Sequence, residues 1–221
     1  MTNEEILQQI YDETLVGNRP AVIELTTAGI EAEIPPNTLL FEALIPALEE
    51  VGARFERGDF FVPEMLISGR AMTGALQLLR PLLIDSGVEK VGTFLMGTVQ
   101  GDVHDIGKNL VNIMLEGAGF DVIDIGVQVR PETFIEAIHE HKPDVVGFSA
   151  FLTTTMPMFK ANIEAIERAG LRDDVIIMVG GAPVTQEYAD VVGADGYAAD
   201  ASSATKRAKE LLLQRRTTVS V

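Results

Sequence analysis

The chain has 221 residues, 47% hydrophobic and 23% charged, with 17 basic against 33 acidic side chains and a formal net charge of −16. That length suits one Rossmann-sized module plus a smaller companion, and the acidity argues against nucleic acid or an anionic membrane surface, where phosphate contacts need clustered Lys and Arg. Cysteine is absent, which removes disulfides, thiolate zinc sites and thiol nucleophiles; a metal must be held by nitrogen or oxygen, or arrive inside a cofactor.

Met1 to Ile10 is acidic and amphipathic, unlike a secretory leader, and no apolar run approaches the ~20 residues that cross a bilayer. A soluble, cytoplasmic protein is expected. Weak helical patterns cover 3–16 and 20–32, broken by Gly17-Asn18-Arg19-Pro20 and by Pro35-Pro36. A clear stripe follows, in which Leu40, Leu44, Leu48, Val51 and Phe55 recur at helical spacing. Pro63 suits the first turn of a fourth helix carrying Leu66, Met72, Leu76, Leu79 and Leu83. Four such helices predict a small antiparallel bundle over residues 1–88, with Asp85-Ser86-Gly87 as the linker. This half carries 5 basic against 14 acidic residues and the rest 12 against 19, so neither hides a basic module.

From Lys90 the pattern changes to short apolar runs, each followed by a helical stretch: 91–96, 120–125, 145–148, 175–179 and 196–198. Apolar strands alternating with amphipathic helices predict a parallel sheet covered on both faces, a Rossmann-like (flavodoxin-like) five-stranded domain over 89–221.

In such sheets ligands bind beyond the carboxyl ends of the strands, near the point where strand order reverses. The first run is followed by Gly97-Thr98-Val99-Gln100-Gly101-Asp102-Val103-His104-Asp105-Ile106-Gly107, longer than the two to six residues of an ordinary strand-to-helix connection. The third is followed by the hydroxyl-rich Ser149-Ala150-Phe151-Leu152-Thr153-Thr154-Thr155, and the fourth by Gly180-Gly181-Ala182-Pro183. With the order 2-1-3-4-5 the three loops share one rim. Asp102 is placed to accept the Nδ1 hydrogen of His104 and leave Nε2 for a metal; the plainer reading is a helix cap beside a surface histidine. Ser149 and Thr153 equally suit helix caps, and the glycine pair suits either a tight turn or the close approach of a flat or extended ligand. His139 and His141 flank a polar helix end and are expected to be exposed.

Asp102-x-His104-x-x-Gly107, then Ser149, then Gly180-Gly181 resembles the cobalamin-binding module of methionine synthase and the corrinoid proteins of methyltransferase systems. The fuller motif is Gly101-Asp102-Val103-His104-Asp105-Ile106-Gly107-Lys108-Asn109, and the helical half joins the resemblance through Gly52-Ala53-Arg54-Phe55-Glu56-Arg57-Gly58-Asp59-Phe60-Phe61-Val62-Pro63-Glu64. The resemblance implies a corrinoid cofactor whose own base swings away from cobalt, with His104 as the metal ligand in its place. Gly101 to Gly107, including Val103, Asp105 and Ile106, would form the cofactor-binding loop. Ser149, Thr153, Gly180, Gly181 and the backbone near Ala201 would line the nucleotide tail. Asp102 and Thr155 would complete a proton relay, with threonine where methionine synthase has serine. Phe55 and Val62 would cap the upper face of the corrin, Val62 being smaller than the leucine of methionine synthase.

The chain then resembles a methyl carrier rather than a complete enzyme, served by a substrate-specific methyltransferase, an acceptor methyltransferase and a reductive activase. The subunit of an adenosylcobalamin-dependent mutase shares the histidine loop but lacks such a bundle. A cobalamin-dependent sensor would need an output module, and no DNA-reading one is recognisable. A receiver domain is disfavoured because Ser149, not Asp, ends the third strand, and a nicotinamide enzyme because no Gly-x-Gly-x-x-Gly follows the first.

Overall fold

A computed structural model describes residues 1–85 and 90–219. They form two compact units, one of Met1–Glu89 with Glu116–Ala118 and the other of Lys90–Leu115 with Gly119–Val221. Ser86 and Gly87 of the expected linker lie outside the described residues.

The first unit is helical. α1 (Asn3–Leu15) opens on a capping box, in which Thr2 Oγ1 accepts from Glu5 N at 3.2 Å and Thr2 N donates to Glu5 Oε2 at 2.8 Å. Gly17, at φ 76, ends it, and Pro20 falls in the first turn of α2 (Arg19–Glu31), where its missing N–H is no loss. Pro36 starts α3 (Pro36–Thr38), which runs through a π segment (Leu39–Leu44) into α4 (Ile45–Arg57). The widened turn has a local cause: Pro46 cannot donate to Glu42 O, and its ring would collide with that carbonyl in a regular α-helix. Leu40, Leu44, Leu48 and Val51 of the expected stripe are buried, whereas Phe55 at its end is half-buried. α5 (Val62–Asp85) carries Pro63 in its first turn and buries Met72, Leu76 and Leu79. Its Ser68 Oγ donates to Leu15 O at 3.0 Å, giving the end of α1 a partner across the bundle.

The second unit is a five-stranded parallel sheet in the order β2-β1-β3-β4-β5, built from β1 (Thr93–Thr98), β2 (Asp121–Asp124), β3 (Val145–Ser149), β4 (Ile176–Gly180) and β5 (Gly196–Ala198). Between and after them run α6 (Ile106–Gly117), α7 (Pro131–His141), α8 (Pro157–Arg168), α9 (Gln186–Val192) and α10 (Ala201–Val219). Successive residues of the central strands are buried whichever face they point to, as Phe94 with Leu95 and Val145 with Val146 show. This is why they read as continuous apolar runs rather than alternating ones. One core gathers Leu95, Val146, Phe148, Ile177 and Val179 of the sheet with Phe134, Phe159 and Ile163 of the helices.

Register matters most at the carboxyl ends. Thr98 pairs with Ser149, Ser149 with Gly180, and Gly180 with Ala198, so four strands finish in one row. β1 runs two residues beyond the expected run, because Gly97 and Thr98 continue the pairing with Phe148 and Ser149. Gly97 admits the ring of Phe134, whose Cζ would lie 2.8 Å from a Cβ there. The connection to α6 is accordingly residues 99–105, shorter than expected. Behind Ser149, Gly181 at φ 133 passes Ala150 so closely that an added Cβ would sit 1.8 Å from Ala150 O. Gly181→Ala is therefore expected to destabilise the fold by about 2–4 kcal/mol, since neither backbone can yield. Urea unfolding monitored by circular dichroism checks this, and an unchanged midpoint contradicts the close approach.

Candidate cofactor site

The connection from β1 to α6 is held from below by backbone. Val99 N donates to Ser149 O at 3.0 Å, Asp102 N to Val99 O at 3.1 Å, and Gln128 N to Asp102 O at 3.0 Å. Gly101 makes the turn at φ 84, a left-handed conformation that favours glycine. The turn drives the Asp102 side chain inward, where it is fully buried.

An ionised carboxylate can stay there only if its lone pairs are filled. Oδ1 accepts from His104 N at 3.0 Å and meets His104 Nδ1 at 2.6 Å. Oδ2 accepts from Phe151 N at 2.8 Å, Leu152 N at 3.2 Å and Thr155 Oγ1 at 2.8 Å. Burial alone would push the Asp102 carboxyl up; the donors from His104, Phe151 and Thr155 outweigh it and hold the group well below the usual carboxylate range. With Nδ1 committed to the carboxylate, the imidazole presents Nε2 outward, and its side chain remains 44% exposed. Nothing among the described residues hydrogen-bonds to Nε2. The ring of Phe151 stacks on the imidazole with centroids 4.4 Å apart and planes 29° apart.

Further ties hold the loop. Thr98 Oγ1 donates to His104 O at 3.0 Å, and Thr98 N donates to Gly126 O at 3.0 Å. Gly126 N in turn donates to Asp124 Oδ1 at 2.8 Å. The buried Lys108 ammonium and Asn112 Nδ2 donate to the other oxygen of Asp124. The histidine backbone is thus linked through the end of β1 to an ion pair between α6 and the end of β2.

A B12 binding domain family matches residues 92–207, and a second family of the same description matches residues 6–80. Dimethylamine corrinoid protein 1 of Methanosarcina acetivorans is 41% identical over 213 residues, 96% of this chain and 100% of the relative. Trimethylamine corrinoid protein 1 of the same organism is 36% identical, covering 96% and 99%. This chain belongs to the B12-binding corrinoid proteins. Among solved structures, a chain of the methanol:cobalamin methyltransferase complex of Methanosarcina barkeri superposes with a TM-score of 0.83 at 29% identity, covering 95% of this chain and 80% of that one. A cobalamin-binding protein of Desulfitobacterium hafniense gives 0.74 at 27% identity, covering 95% and 97%.

The residues of this corrinoid protein fit the group its family implies. Among the described residues no cluster of three or more His, Cys, Asp or Glu could hold a bare metal ion, whereas a single imidazole donor suits a metal whose other positions a macrocycle fills. Around His104 the rim offers Val103, Ile106, Val127, Phe151 and Leu152, all exposed, an apolar surface suited to a flat apolar ligand. Gly107 has open space where a Cβ would project, so the protein's own packing does not require glycine there.

The expected residues fall as follows. Asp102, His104 and Thr155 meet directly. Ser149 and Gly180 stand in the row of strand ends, with Gly181 next in the chain. Thr153 is exposed in the turn before α8, and Asp105 accepts from Asn109 N at 2.7 Å, holding the first turn of α6. Ala201 opens α10 and is buried. Phe55 and Val62, half-buried and exposed, lie in the helical unit. His139 and His141 are exposed at the end of α7. Sequence reasoning missed Thr98, Phe151 and the amide of Leu152; a hydroxyl ending an apolar strand and an aromatic directly after one were the available signals.

Replacing Asp102 with alanine leaves the amides of His104, Phe151 and Leu152 without their acceptor, and a loss of about 3–5 kcal/mol is expected. Because the folded carboxyl titrates below its unfolded value of 3.8, its contribution is complete above about pH 4 and is lost as the pH falls through the lower folded value. Unfolding free energies of wild type and Asp102→Ala across pH 2–7 should converge toward the acid end. A pH-independent difference contradicts the geometry.

Proposed function

We propose that this corrinoid protein carries a methyl group on cobalamin between a substrate-specific methyltransferase and a second methyltransferase acting on tetrahydrofolate, coenzyme M or a similar acceptor, with a reductive activase maintaining the cofactor. His104 would hold the cofactor's cobalt through Nε2, in place of the cofactor's own base. The observation that carries this reading is the His104 Nδ1 to Asp102 Oδ1 contact of 2.6 Å, which fixes the tautomer and turns a free Nε2 toward an apolar rim. The names of the relatives, dimethylamine and trimethylamine corrinoid proteins, favour a methylated amine as the donor. The absence of any described helix long and apolar enough to cross a membrane accords with a cytoplasmic carrier.

When bound, the cofactor's cobalt supplies the group that accepts and gives up the methyl. The chain supplies orientation and a proton store. Asp102 keeps the imidazole in the donor tautomer. Thr155 Oγ1 lies 2.8 Å from both Asp102 Oδ2 and Leu152 O, and its one hydrogen can serve either. While Asp102 is ionised the hydroxyl donates to Oδ2; when the pair takes up a proton, the hydroxyl turns to Leu152 O and accepts from the carboxyl. A proton held at Asp102 Oδ2 removes the negative charge facing the Nδ1 hydrogen and so weakens the donor strength of Nε2. Ser149, Thr153, Gly180, Gly181 and Ala201 would hold the nucleotide tail, their small side chains and bare backbone permitting close approach. The domain of residues 89–221 would bind the cofactor, and Phe55 and Val62 of the domain of residues 1–88 would supply apolar cover for its methyl group.

Protein reconstituted with cobalamin and poised at cobalt(II) should give an electron paramagnetic resonance spectrum with nitrogen coupling that changes on ¹⁵N-histidine labelling. It should lose that coupling in His104→Ala. Coupling that follows the benzimidazole instead overturns the assignment.

A further inference from the structure

We infer that Phe151 is a positioning residue for the His104 imidazole: its ring fixes the plane in which Nε2 meets the cofactor, while its amide fixes the carboxylate that fixes the same imidazole. The inference rests on His104 being the cobalt ligand and adds to it a second constraint supplied by another loop.

The argument is one of degrees of freedom. A hydrogen bond from Nδ1 to Asp102 Oδ1 pins one ring atom but lets the imidazole hinge about that contact. Hinging by a few tens of degrees preserves the hydrogen bond and swings Nε2, the ring atom across from Nδ1, off any fixed axis. A face laid against the ring removes this freedom, and the stack of Phe151 on His104, with centroids 4.4 Å apart and planes 29° apart, is such a face. Aromatic pairs in offset stacking attract beyond their buried area, and a phenyl ring carries few rotatable bonds, so it holds its place at small entropic cost.

Phe151 is also placed by the group it helps to place. Its N–H donates to Asp102 Oδ2 at 2.8 Å, while the imidazole sits on Oδ1 of the same carboxylate. Asp102, His104 and Phe151 close a triangle of direct contacts: carboxylate to imidazole, imidazole to phenyl, and the amide of Phe151 back to the carboxylate. Packing into the core does not account for the phenyl, since Phe151 is 52% exposed even though it follows the buried Ala150 just beyond β3.

The test uses the full chain and two substitutions. Phe151→Leu removes the aromatic face and keeps an apolar side chain and the amide; Phe151→Tyr keeps the face. In the cofactor-free protein, the ring protons of His104 should lie upfield in wild type and Phe151→Tyr and return toward unstacked values in Phe151→Leu. In protein reconstituted with cobalamin at cobalt(II), the ratio of histidine-coordinated to uncoordinated forms should fall roughly 3- to 10-fold in Phe151→Leu, the range that one aromatic pair commands. It should be restored in Phe151→Tyr. Equal thermal midpoints for the three proteins separate positioning from a loss of fold. Histidine coupling in wild type together with an unchanged ratio in Phe151→Leu overturns this inference alone. Absence of histidine coupling in wild type overturns the ligand reading beneath it, whatever the proton shifts show.

Discussion

The second unit is organised around one buried negative charge. Asp102 is fully buried, and two loops converge on its oxygens through five donors, two from the histidine it carries and three from the turn after β3. A carboxylate so placed is stable only while these groups stay in position. The carboxylate therefore does for the rim what a side-chain staple does elsewhere: it joins the exit of β1 to the exit of β3. A parallel sheet provides the frame, because the pairing of Thr98 with Ser149 brings those two exits to the same level.

The lysine of the motif acts one layer further down. Lys108 is buried and paired with Asp124, which holds the backbone of Gly126, which accepts from Thr98, which reaches the histidine carbonyl. A loop held on its carbonyl, amide and ring at once loses the mobility usual for a connection outside a sheet.

Much of this was legible in the chain alone, and the reasons are physical. The switch from helical period to short apolar runs at Lys90 reflects two different modes of burial, one on a stripe and one on both faces. Asp102 and His104 stood out by their place in a long loop at the carboxyl end of a strand, but a helix cap beside a surface histidine accounted for them as well, and the resemblance decided between the two. Thr155 came through resemblance rather than spacing, since fifty-odd residues of chain separate it from the carboxylate it touches. Phe151 and Thr98 were passed over: aromatic and hydroxyl residues at a strand end have ordinary packing and capping uses, and only the three-dimensional proximity of the two loops separates those uses from a contact with the imidazole. The length of the first loop was overestimated because glycine reads as a strand breaker, whereas Gly97 makes room for the ring of Phe134 within a continuing strand.

Threonine, rather than serine, at position 155 separates two properties that a plain hydroxymethyl group combines. Its branched Cβ restricts rotation about χ1, and its hydroxyl is held at Asp102 Oδ2, so the oxygen has a fixed address. The hydrogen on that oxygen remains a free rotor with two equidistant destinations. The hydroxyl can change which of the two acceptors it serves with every heavy atom at rest, so that change is decoupled from the slower motions of loops and helices.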